Sequence, residues 1–134
     1  MAWNVTVTSE ELHVVAEAGI VYREAGKLKE AREVFAGLQA MRPQHDLPEI
    51  LLGTVRFREQ DFAQAIGHYQ KALELNPHSA LAYANQAEAE MFRHEFEAAR
   101  ESCRKAIELD ADGEAGAHAR GLLPVIDDLA EQKG

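Results

Sequence analysis

His94-Glu95 is the pair that first brings metal-assisted hydrolysis to mind. A helical zinc-hydrolase motif needs a second imidazole one turn further on, and that place holds Ala98. A surface turn accounts for the pair. Glu108-x-Asp110-x-Asp112-Gly113 opens like a calcium loop. Its closing bidentate carboxylate belongs at residue 119, which is alanine, so a helix end followed by an acidic turn is the simpler account. Cys103 is the one cysteine, and its place in the helical pattern set out below suits a buried small hydrophobe better than a nucleophile. The six histidines are scattered without ligand spacing, and no glycine-rich loop offers to cradle a phosphate. These residue types point to no enzyme, no metal and no cofactor.

Composition narrows the remaining classes. The chain has 134 residues and a net charge of -9. A phosphate backbone calls for a basic face, so nucleic acid is not the expected partner. No apolar run reaches the roughly 18 residues of a membrane span, so no membrane insertion is expected. The start MAWNVTVTSEEL has neither a basic end nor a long apolar stretch, unlike a secretory signal. One cysteine allows no internal disulfide. A cytoplasmic protein is expected, and its acidic surface favours a basic or apolar partner.

The elements come from periodicity. Lys71 to Ala80 reads KALELNPHSA, and 34 residues later Lys105 to Glu114 reads KAIELDADGE. A fainter copy, GLQAMRPQHD, lies 34 residues upstream at Gly37 to Asp46. Apolar residues recur at helical spacing, as with Ala31, Val34, Phe35 and Leu38. Breaks near Gly26, Pro43, Asp61, Pro77, His94 and Gly113 leave segments of about 12 to 15 residues, the length of ordinary helices. Thr8 and Glu11 have capping-box spacing. Trp3 to Val7 alternates briefly and is read as an arm, not a strand. The expectation is an all-α chain of antiparallel helix pairs. An arm occupies 1–11, three units occupy 12–45, 46–79 and 80–113, and a capping helix with tail occupies 114–134. Pro124 is expected to kink that last helix or split it after Gly121.

In register, the units carry small residues at place 8 (Gly19, Gly53, Ala87) and place 20 (Ala31, Ala65, Ala99). Place 24 carries Phe35, Tyr69 and Cys103, and place 32 carries Pro43, Pro77 and Ala111. This resembles the tetratricopeptide repeat, or TPR, most closely in FAQAIGHYQKALELNP. Departures are Arg56 and Glu90 at place 11, Cys103 for an aromatic and Ala111 for proline. The resemblance implies a right-handed superhelix of three hairpins. Small residues would let paired helices approach, and the aromatic would fill the gap toward the next repeat.

The resemblance also implies a binding groove lined by the first helix of each repeat. Its inward places hold His13, Ala16, Ile20, Arg23 and Glu24, then Leu47, Ile50, Thr54, Phe57 and Arg58, then Leu81, Ala84, Glu88, Met91 and Phe92. Ile20, Arg23, Leu47, Ile50, Thr54, Phe57, Leu81, Ala84, Glu88 and Met91 are the peptide-binding candidates, with Phe57 as an anchor facing the groove. Ile20, Ile50, Phe57, Leu81 and Met91 stand off the family's packing places, and an exposed apolar set marks a binding surface. The occupant is a partner segment, or else the chain's own arm or a dimer mate. The carboxylate clamp for heat-shock chaperone tails is missing, since its places hold Ala16, Ile20, Leu51, Leu81 and Asn85.

More narrowly, the chain looks like the small class II chaperones of bacterial type III secretion. The similarity rests on the hairpins GKLKEAREVF, LLGTVRFREQDFAQAIGHY and QAEAEMFRHEFEAAR. Those chaperones have a longer dimerising N-terminal extension, where about ten residues precede the first repeat here. The alternative is a generic bacterial TPR scaffold or assembly subunit.

Overall fold

A computed structural model describes residues 8–133, and the arm read at Trp3 to Val7 lies outside them. Seven helices follow one another among the described residues, with no strand. They are α1 (Ser9–Glu24), α2 (Leu28–Met41), α3 (Asp46–Arg58), α4 (Phe62–Leu75), α5 (Ala80–Phe92), α6 (Phe96–Leu109) and α7 (Glu114–Lys133). Helix starts are capped as the local sequence dictates. Thr8 Oγ1 accepts from Glu11 N at 3.1 Å, Asp61 Oδ1 from Gln64 N at 3.1 Å, and Ser79 Oγ from Ala82 N at 3.1 Å.

Within each pair the chain reverses through a residue in the left-handed region. Gly26 has φ 80°, Gln60 φ 63° and His94 φ 62°, all at place 15 of their units. Only the first is the glycine this backbone favours. His94 is therefore a turn residue on the surface, with its ring 5.4 Å from that of Phe96.

Close approach explains the small residues at place 8. A Cβ on Gly19 would lie 2.3 Å from Phe35 Cε1, and one on Gly53 would lie 2.4 Å from Tyr69 Cε1. Each ring lies against its own hairpin partner and also reaches the next repeat: Phe35 shares a core cluster with Leu51, Leu52 and Val55, and Tyr69 one with Ala82 and Ala89. In the third unit the pair is Ala87 and Cys103, both fully buried. The smaller thiol makes room for the extra methyl. Burial pushes the Cys103 thiol up to about 11, so it stays neutral and unreactive near pH 7.

α7 closes the last apolar face. Ala115, Ala119, Leu122 and Ile126 share a cluster with Ala84, Ala87, Met91, Ala99, Cys103 and Ala106. The split expected after Gly121 does not occur, for α7 runs unbroken through Pro124. Pro124 is exposed, so the Arg120 carbonyl that loses its intrahelical donor can take one from water. The acidic turn before α7 is a cap. Asp110 Oδ2 accepts from Ala115 N at 3.2 Å.

Candidate functional site

The first helices α1, α3 and α5, with the start of α7, surround two neighbouring cavities. The first, of about 200 Å³, is lined by Arg23, Glu24, Thr54, Phe57, Arg58, Tyr69, Asn85 and Glu88. The second, of about 220 Å³, is lined by Leu81, Ala84, Asn85, Glu88, Glu114, Ala115 and His118. Asn85 and Glu88 line both, so the two cavities adjoin on one surface, the trough, that reaches from α1 to α7.

Hydrogen bonds hold the first cavity's walls. Thr54 Oγ1 accepts from Arg23 Nη1 at 2.7 Å and donates to the Leu51 carbonyl at 2.6 Å. Glu24 accepts from Arg23 Nη2 at 3.1 Å and from Arg58 Nη2 at 2.6 Å. Those guanidiniums, Arg58 first, hold the Glu24 carboxyl below the usual carboxylate range. Tyr69 is buried beneath, and its phenol is raised chiefly by burial, with Glu88 raising and Arg23 lowering it. Its hydroxyl thus senses both ends of the trough and stays neutral. In the second cavity His118 Nε2 lies 3.1 Å from Glu88 Oε2, tying α7 to α5.

Phe57 closes one wall. Its ring meets Phe62 at 5.2 Å and Phe92 at 5.6 Å, edge on, while Phe62 and Phe92 stack at 5.2 Å. Phe57 also packs partly into the core around Ile50 and Tyr69. It faces the trough and the helix crossing together, unlike the purely groove-facing anchor expected from its place.

The ten candidates separate into two groups. Arg23, Thr54, Phe57 and Glu88 come together in the first cavity, and Leu81, Ala84 and Glu88 in the second. Ile50 and Met91 are buried in core clusters, and Ile20 and Leu47 pack half-buried against the first cluster. The expected apolar row is therefore not exposed as a set: packing of successive hairpins buries Ile50 and Met91 and half-buries Ile20, while Leu81 stays exposed and Phe57 lines a cavity. The trough is instead mixed, with arginine, carboxylate and amide side chains over an aromatic floor. Sequence reasoning missed Tyr69, Asn85, Glu114 and His118. Tyr69 had been placed in packing alone. Extending the 34-residue register into α7 puts His118 at place 5 of a fourth unit, the signal that was there to use.

The fold is that of a TPR array, a right-handed superhelix of three helix hairpins plus a C-terminal capping helix. Residues 50–114 match the tetratricopeptide repeat family. The chain is 39% identical over 57 residues to the STIP1 homolog of Dictyostelium discoideum, covering 42% of this chain and 10% of that protein. It superposes on the first TPR of Spaghetti (RPAP3) bound to an HSP90 peptide with TM-score 0.78 and 23% identity, covering 94% and 98% of the two chains. It superposes on the Yersinia enterocolitica type III secretion chaperone SycD, in complex with a peptide of the translocator YopD, with TM-score 0.76 and 20% identity, covering 92% and 97%. Among the described residues no helix is long and apolar enough to cross a membrane, and no group of His, Cys, Asp and Glu is placed to hold a metal ion.

Proposed function

We propose that this chain binds an extended segment of a protein partner along the trough. The carrying observation is that two cavities adjoin along the first helices, with Asn85 and Glu88 lining both. Such a surface offers side-chain donors and acceptors to a peptide backbone and shallow apolar steps to its side chains.

Within that reading, the chain acts in the cytoplasm as a chaperone of a type III secretion translocator. The likeness in fold to SycD with its YopD peptide supports it. The likeness in fold to the first TPR of Spaghetti (RPAP3) with its HSP90 peptide suggests a different partner. A carboxylate clamp, however, needs donors at five places, and four of them hold Ala16, Ile20, Leu51 and Leu81, with Ala16 and Leu51 buried. The other reading, a scaffold subunit, is distinguished by the partner itself.

A photo-crosslinking residue at Asn85, compared with one at Glu74 on the exposed side of α4, tests both levels in native cells. Crosslinks from Asn85 alone, mapping to one short segment of one protein, support the trough as the site. Equal yields from the two positions would sink it. A secreted membrane-inserting partner supports the chaperone role, and a resident subunit of an assembly supports the scaffold.

A further inference from the structure

The two ends of the trough carry opposite charge. At the α1–α3 end, Arg23 and Arg58 share the single carboxylate of Glu24, and the cavity's other carboxylate, Glu88, stands across it on α5. This pair of guanidiniums stands in a chain whose net charge is -9. Arg58 is reachable, with its side chain 43% exposed. At the α5–α7 end, Glu88 and Glu114 line the second cavity with one imidazole, His118, which is bonded to Glu88, so carboxylates predominate there. Between the ends stands Asn85, which lines both cavities and can bond a peptide backbone in either direction.

We propose that the trough selects an extended segment carrying an acidic side chain for Arg58 and Arg23 and a basic side chain about three residues away for Glu88 and Glu114. The spacing is that of one step between first helices, from Arg58 on α3 to Glu88 on α5, with Arg23 and Glu114 lying beyond at either end. Neighbouring helix axes lie about 8–10 Å apart, and an extended chain advances ~3.3 Å per residue. The basic side chain displaces His118 from Glu88, and the acidic one pairs with the guanidiniums that share Glu24. Like charges at either end are rejected, so charge order sets specificity more than it sets affinity. The inference rests on the trough being a peptide site, and it adds the chemistry of the occupant.

The test uses the full chain, immobilised, and a phage library of random peptides of about twelve residues, enough to span the trough at ~3.3 Å each. Enriched peptides should pair an acidic with a basic residue at the stated separation. Arg58→Glu should weaken a selected peptide about tenfold, and replacing that peptide's acid by lysine should recover binding to the variant. Glu88→Lys should behave as the mirror case. Circular dichroism checks the fold, and Arg58→Gln serves if Arg58→Glu does not fold. Enrichment without paired charges overturns the charge rule while leaving the peptide site intact. Failure of both charge swaps in folded variants overturns the assignment to these residues. No enrichment at all overturns the peptide site itself.

Discussion

At Gly53 the Tyr69 ring occupies the space a side chain would need, so residue identity there is dictated by a neighbour 16 positions along the chain. Gly53→Ala should destabilise by about 1–3 kcal/mol through overpacking, read as a fall in Tm. Gly67 in α4 has nothing within 4 Å of an added Cβ. Gly67→Ala should therefore stabilise by up to about 1 kcal/mol, and an equal loss at both glycines would refute the steric account. Glu90 presents the opposite case, a carboxylate where the repeat favours a large apolar residue. It is 6% exposed, accepts from Ser102 Oγ at 2.6 Å, and lies 3.5 Å from the Gln86 amide. Burial raises its pKa above the ordinary 4.5, with the Ser102 and Gln86 hydrogen bonds opposing. The folded state therefore holds the proton more tightly than the unfolded chain. Its contribution is fully present below the unfolded pKa and is lost as pH rises through the higher folded value. Glu90→Gln should flatten that part of the Tm-against-pH curve and stabilise at neutral pH, and a curve of unchanged slope would show that Glu90 does not cause it.

Among the elements, α7 is unusual in carrying Pro124 in its interior. A proline there is expected to kink the helix or split it because it removes a donor and crowds the preceding turn, and of the two the split does not occur. Exposure of that face and burial of Leu122 and Ile126 on the other side let tertiary packing override the local preference. Pro124→Ala restores the bond to the Arg120 carbonyl and should stabilise by up to about 3 kcal/mol. A thermal melt decides it, and a neutral result would mean the helix already avoids the clash at no cost. Helix pairs held by side-chain bonds were harder to foresee. Glu49, buried at the start of α3, receives Gln39 Nε2 from α2 and lies 2.8 Å from His68 Nδ1 on α4. Its place in the repeat asks for a large apolar residue, and only the three-helix junction supplies its partners.

For the whole molecule, the array ends where α7 covers the third repeat. Removing residues 114–134 would bare Ala84, Met91, Cys103 and Ala106 and delete one wall of the trough. The truncated chain should aggregate, since terminal repeats need a polar outer face. Sedimentation and circular dichroism check this; a soluble, fully helical truncated chain would disprove the capping role. The 34-residue period, the helix breaks and the small residues at places 8 and 20 were legible because each reflects a contact repeated inside one hairpin, and repetition makes a local rule visible. Three-dimensional packing alone decided which first-helix residues stay open. Ile50 and Met91 share inward places with Thr54 and Glu88, yet the first two are buried and the second two line the trough. The angle between successive hairpins depends on side-chain volumes summed over neighbouring repeats, such as Phe35 with Leu51 and Val55 and Tyr69 with Ala82 and Ala89. No single repeat contains that sum, so the face that meets a partner is a property of the stack.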